Sequence, residues 1–238
     1  MRIGRHNRRG LRLWPTRAAA FSAVHGRSSQ ASPERGTVAV PAADPFALDE
    51  ALPVDELRHV VAARTGIADY PDEHAVDVAL CAGRIADQLG LGERVRRAVI
   101  EGALLHDVGK LFVDAAVLAK RGPLTAEERK EVNRHPVEGD RILRDAVEAS
   151  VVDVVVAHHE RWDGGGYPYG LSADRIPLAA RVVAVADAYL AMREKRPYRA
   201  ALTEEAALDE LRTCAGSQFD PECVDALLTA IAVAAASM

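Results

Sequence analysis

An all-α helical bundle is the fold this sequence predicts, on three observations. The hydrophobic content of 49% comes mainly from Ala, Leu and Val, with only 5% aromatic residues, a balance that favours helices over sheets. Apolar residues recur at helical spacing in segment after segment. Gly, Pro and capping residues fall mostly between those segments. No strand pattern of comparable strength and no internal repeat accompanies them.

In chain order, a lead-in helix is expected from Val54 to Arg64, and a second from Glu73 to Leu89, with Val76, Leu80, Ala82, Ile85 and Leu89 apolar and Gly90 ending it. Glu93 to His106 follows, apolar on more than one side as a buried helix is, and Asp107 to Lys110 closes it. Thr125-Ala126-Glu127-Glu128 matches a capping box, Pro136 sits near the first turn of a further helix, and Ala149 to His158 continues the set. Gly164 to Gly170 must be a loop, because no helix tolerates that glycine density. Helices resume over Pro177 to Met192, Thr203 to Ala215 and Asp220 to Ala235, the last with Asp220 as cap and Pro221 at its first position.

The 238 residues allow one sizeable domain with an appendage. Residues 1–43 carry eight Arg and one acidic residue, Glu34, in Arg-rich, Ser-rich and then Pro- and Ala-rich pieces, and read as a disordered basic segment. Residues 44–69 read as a lead-in helical segment and 70–238 as the functional domain. With a net charge of −5 and a basic start, that domain is acidic, which argues against a nucleic-acid polymer as partner and requires a local basic site for any negative ligand. Cys81, Cys214 and Cys223 are odd in number and lack CxxC spacing, so a reducing, cytoplasmic setting without a disulfide framework is expected. No run approaches the roughly 18 apolar residues of a membrane span.

Chemistry concentrates in two short clusters, His106-Asp107 with Gly109 and Lys110, and His158-His159-Glu160 running into Arg161-Trp162-Asp163-Gly164-Gly165-Gly166-Tyr167-Pro168. His74 and His135 bring the histidines of this region to five. A lone histidine at the end of an apolar helix is usually a packing residue, and a Gly-rich stretch usually a turn. Asp187 is harder to dismiss: it lies within Val182 to Ala188, where an ionised carboxylate is costly to bury, and Arg181 is on a different helix face. A metal ion would remove that cost. Adjacent His106 and Asp107 project about 100° apart on a helix, so they reach neighbouring coordination positions, with Asp107 able to bridge two metals and Lys110 facing the same pocket. Two metals about 3.5–4 Å apart suit phosphodiester hydrolysis, since together they activate water at neutral pH and neutralise phosphoryl oxygens. The imidazole and carboxylate donors suit iron, manganese or zinc.

In order, the series His74, His106-Asp107-Val108-Gly109-Lys110, His135-Pro136 with Gly139, His158-His159-Glu160, Asp163 to Pro168 with Gly170, and Asp187 followed by Arg196-Pro197-Tyr198-Arg199 closely resembles the HD-GYP family of cyclic-di-GMP phosphodiesterases, over about residues 70 to 230. The resemblance implies an HD-superfamily helical bundle with a Gly-rich loop that hydrolyses cyclic-di-GMP to pGpG and then GMP. It implies two divalent transition metal ions, iron or manganese foremost: one held by His74, His106, Asp107 and Asp187, the other by Asp107, His135, His158 and His159. Lys110, Arg196 and Arg199 match the family's phosphate-contacting residues. Tyr167 matches the loop that lines the pocket and that the family links to contact with diguanylate cyclase domains.

The sequence also departs from the pattern. Tyr70 stands where some members have a glutamate ligand for a third metal, which favours a two-metal site. Leu190 replaces an aspartate that the family often has near substrate and metal, and residues around Asp114 and Arg121 replace usual prolines on a connecting loop. Leu190 is the feature that favours one alternative, a catalytically weak adaptor binding cyclic-di-GMP or a cyclase; an HD hydrolase of another nucleotide or of a different cyclic dinucleotide is a further one.

Overall fold

In the computed structural model, residues 53–67, 70–194 and 200–236 are described. The basic segment 1–43 lies outside them, as do Arg196 and Arg199. Ten α-helices run through the described residues: α1 (Val54–Thr65), α2 (Glu73–Gln88), α3 (Glu93–Leu105), α4 (Ala115–Leu118), α5 (Ala126–Val132), α6 (His135–Leu143), α7 (Ala149–Ala157), α8 (Leu178–Arg193), α9 (Glu204–Cys214) and α10 (Pro221–Ala236). Among these residues there is no strand, and the single isolated bridge joins Ala215 to Phe219.

The expected helices are present with ends displaced by a residue or two, and their caps explain where they start. Asp72 accepts a hydrogen bond from the Ala75 N–H at the head of α2, Thr125 and Glu128 form a reciprocal capping box at α5, and Thr203 caps α9. Asp220 accepts from the Glu222 N–H at the start of α10. Two short elements escaped the sequence reading, α4 and the 3-10 turn Ala173–Arg175. Each is about one turn long, too short to show a hydrophobic period. Asp114 caps α4 through the Ala116 N–H at 2.8 Å.

The centre of the bundle is α2, α3 and α8. α2 packs on both α3 and α8, α3 also meets α7 and α8, and α10 closes the other side of α2 and α8. Small residues make the approach possible: Ala75, Ala79, Ala82 and Ala86 recur along the buried side of α2. The lead-in helix α1 lies on α3 and α6, and its Leu57 and Val61 join the core. Helix α8 is apolar on several sides, with Val182, Val183, Val185 and Ala186 fully buried, as a central helix must be. It therefore carries Asp187 into the interior. Residues 108–112 form a 3-10 turn that packs against α6 and holds the end of α3 against the start of that helix.

Candidate metal centre

The ends of the buried helices converge on one place. His74 lies in the first turn of α2, His106 and Asp107 directly follow α3, His135 opens α6, His158 and His159 directly follow α7, and Asp187 is inside α8. Their donor atoms form two groups, His74 with His106 and Asp187, and Asp107 with His135, His158 and His159. Within each group all donor atoms lie within 4.8 Å of one another. Asp107 also reaches the first group, because its Oδ2 is 3.4 Å from His106 Nε2 while its Oδ1 is 3.3 Å from His135 Nε2 and 3.9 Å from His158 Nε2. All seven side chains expected as ligands are thus brought together, with Asp107 between the two groups.

The histidine tautomers decide what these groups can hold. Nδ1 of His106, His135 and His158 faces the carbonyl oxygen three residues back, that of Ala103, Val132 and Val155, at 2.7, 2.8 and 2.8 Å. A carbonyl only accepts, so a proton sits on Nδ1, and in the neutral ring each Nε2 presents a lone pair to the centre. His135 Nε2 and His158 Nε2 are 3.3 Å apart, and buried His106 Nε2 and Asp107 Oδ1 have no hydrogen-bond partner. Inward-facing lone pairs left unsatisfied in a buried site are unfavourable among themselves and fit a cation. Ionisation agrees for the second group, whereas at His106 burial lowers the pKa and the neighbouring Asp107 charge more than reverses it. Burial pushes His135 and His159 well below the ordinary imidazole value and His158 down to about 4, so all three are neutral at pH 7, the form a metal requires. Burial opposes ionisation of Asp107, but its neighbours, the Lys110 ammonium foremost, outweigh it and hold the carboxyl well below the usual range.

His74 is arranged differently. Its Nε2 lies 3.1 Å from Asp187 Oδ1, and its Nδ1 lies 3.0 Å from Glu194 Oε1. Burial lowers its pKa, yet hydrogen bonds to the two carboxylates more than reverse this and raise it to about 10. Asp187 is ionised for the same reason: burial disfavours its charge, and the His74 hydrogen bond restores it. Arg181 takes no part in this, since its ion pair is with Asp220 at 2.6 Å. Tyr70 is buried with a hydroxyl that has no hydrogen-bond partner, and it offers no carboxylate for a third ion.

The Gly-rich loop covers the second group. Glu160, buried, accepts from the backbone N–H of Tyr169 at 2.7 Å and of Leu171 at 3.1 Å, which ties the far side of the loop beneath the two histidines. A Cβ at Gly166 would stand 2.4 Å from the Arg161 nitrogen and 2.5 Å from Glu160 Cα, so only glycine lets the loop lie this close. Tyr167 then donates its N–H to His159 O at 3.2 Å and stacks its ring on His159, centroids 4.8 Å apart. Lys110 is buried and its ammonium contacts Asp107 Oδ2. Two carboxylates in this region were not given a role from sequence. Glu160 was legible within its motif but not as an anchor for backbone; Glu194 sits 120 residues from His74 and carried no signal beyond following Leu190 by one helical turn.

The HD domain family model matches residues 59–223. Among proteins of known function, the chain is 47% identical over 150 residues to the cyclic di-GMP phosphodiesterase response regulator RpfG of Xanthomonas campestris pv. campestris, a match covering 62% of this chain and 40% of that one. It is 36% identical over 187 residues to 3'3'-cGAMP-specific phosphodiesterase 3 of Vibrio cholerae, covering 76% of this chain and 41% of that one. The matched region therefore spans about two fifths of the length of these curated relatives. Among solved structures, Bd1817, an HDG"Y"P protein from Bdellovibrio bacteriovorus, shares the fold with a TM-score of 0.56 and 21% identity, covering 70% of this chain and 55% of that one.

Proposed function

Because the chain belongs to the HD-domain family, we propose that it is a metal-dependent phosphodiesterase that hydrolyses cyclic-di-GMP to pGpG and GMP, with two divalent ions, iron or manganese, at the centre formed by His74, His106, Asp107, His135, His158, His159 and Asp187. One observation carries this reading: a single carboxylate, Asp107, offers one oxygen to each of two buried donor groups. When bound, such a metal pair supplies Lewis acidity and an activated water for attack on phosphorus. The side chains do the rest. The backbone carbonyls behind His106, His135 and His158 hold a proton on each Nδ1 and aim each Nε2 inward. Lys110 places a positive charge beside Asp107, where it can meet a phosphoryl oxygen. Tyr167, held over His159, forms a wall against which a purine base can lie.

The relatives support a cyclic dinucleotide as substrate, and they include proteins named for cyclic-di-GMP and for 3'3'-cGAMP. Steady-state assays of anaerobically purified protein on cyclic-di-GMP, 3'3'-cGAMP and cyclic-di-AMP, with the linear products resolved by chromatography, test the reading. Cyclic-di-GMP is expected to give the highest kcat/KM, and binding without any linear product would favour the adaptor instead. The Gly-rich loop around Tyr167, whose Tyr169 is 65% exposed, is the surface we assign to contact with a diguanylate cyclase domain, in the cytoplasm where that messenger is made. Among the described residues no helix is long and apolar enough to cross a membrane.

Arg196 and Arg199 are assigned to the substrate phosphates. Loss of one charge-assisted hydrogen bond of about 1.5–3 kcal/mol should slow cyclic-di-GMP turnover by Arg196→Ala roughly 10- to 100-fold. Elemental analysis should show an unchanged metal content in that variant. Unaltered kinetics would remove Arg196 from the site.

A further inference from the structure

Three of the buried histidines are oriented by neutral backbone carbonyls, whereas the fourth, His74, is oriented by a carboxylate. That carboxylate is Glu194, the residue that ends α8, whose N–H donates to Leu190 O at 3.0 Å. Residues four apart on a helix share a face, so Glu194 approaches His74 from the side of α8 on which Leu190 lies. Leu190 itself is partly buried against the core and carries no charge. The Glu194 side chain is 24% exposed and His74 only 5%, so the contact is shielded without being sealed from water.

We propose that Glu194 is the positioning residue for the first metal: its carboxylate fixes the Nδ1–H of His74, leaves Nε2 as the ligand atom beside Asp187, and supplies from the next turn of α8 the negative charge that Leu190 withholds. This rests on the two-metal reading of the site. A carboxylate that accepts from the distal nitrogen of a ligating histidine fixes its tautomer and raises its basicity, and losing such a partner typically costs 10- to 100-fold in metal affinity. The geometry explains how one centre can keep a supported first ligand group without an aspartate at 190. His74 Nε2 and Asp187 Oδ1 lie 3.1 Å apart, within reach of one shared cation. An ion seated there takes the Nε2 lone pair, while the Nδ1 proton stays on the Glu194 side of the ring.

Manganese(II) titrated calorimetrically into metal-free protein, with elemental analysis after dialysis, tests this without recourse to activity. Wild type is expected to bind two ions. Glu194→Ala should weaken one of them 10- to 100-fold and leave the other unchanged, with Glu194→Gln, which keeps an acceptor but not the charge, in between. Adding Leu190→Asp to Glu194→Ala should recover at least part of the lost affinity. Wild-type affinity for both ions in Glu194→Ala would overturn the proposal, as would weakening of both ions together with a lowered Tm of the metal-free protein, the signature of a merely structural contact. Absence of recovery with Leu190→Asp would overturn the exchange of charge between the two positions. A wild type that binds no manganese at all would instead overturn the two-metal reading on which the proposal stands.

Discussion

Asp107→Asn is expected to abolish cyclic-di-GMP hydrolysis and to deplete both metals together. The substitution keeps the size of the side chain and replaces one carboxylate oxygen with an amide nitrogen, which donates and cannot ligate. Either rotamer harms the site. With the amide towards Oδ1's place it points at His135 Nε2 and His158 Nε2, 3.3 and 3.9 Å away; with the amide towards Oδ2's place it points at His106 Nε2 and at the Lys110 ammonium. The unit negative charge shared by the two donor groups is lost in both cases, so an effect confined to one ion is not expected. Turnover should fall by at least about 10³-fold, equivalent to roughly 4 kcal/mol of transition-state stabilisation, with metal content well below that of wild type by elemental analysis. A variant that retains both ions and loses only rate would show that Asp107 is not the bridge, and would move the sharing of charge to another group.

The neighbourhood of Asp107 also marks how far a linear sequence discloses such a site. His106 and Asp107 are adjacent, His158 and His159 are adjacent, and each pair follows an apolar helix whose period is plain, so the ends of α3 and α7 were legible as places where donor side chains gather. Asp187 was legible because an acidic residue inside Val182 to Ala188 contradicts the hydrophobic pattern around it. Three features were not. The tautomer of His106, His135 and His158 depends on backbone carbonyls whose position follows from the final turn before each residue, and no side-chain type announces it. The hold of Glu160 on the loop runs through the backbone N–H groups of Tyr169 and Leu171, which are the same in every sequence. The pairing of His74 with Glu194 joins the head of α2 to the tail of α8, and it exists because those two helices pack together. Helix ends slipped by a residue or two for a similar reason, since the last turn is decided by tertiary contacts as much as by propensity.

Gly109→Ala is expected to strip the second metal while sparing the first. Gly109 sits in the 3-10 turn after Asp107, where a Cβ would stand 1.9 Å from the carbonyl oxygen of His135 and 2.7 Å from the Gly139 nitrogen. Both neighbours are backbone and neither can rotate away, so the turn must separate from the start of α6 to admit a methyl group. That separation pulls Asp107 Oδ1 from His135 Nε2, 3.3 Å apart in the native site, and opens the second group. The first group draws on α2, the end of α3 and α8, none of which has to move for α6 to do so. A misplacement of about 1 Å in a catalytic centre can cost about 10²-fold in rate, and overpacking of this kind about 1–3 kcal/mol in stability, so activity should fall much further than folding. Elemental analysis should give about one ion per chain in place of two, with a modest drop in Tm of the metal-free protein. Gly122→Ala is the control, since a Cβ there meets nothing within 4 Å, and it should leave metal content, rate and Tm unchanged. Two ions and full activity in Gly109→Ala would mean that the contact between the turn and α6 yields without disturbing His135, and that the second group is held by α7 alone.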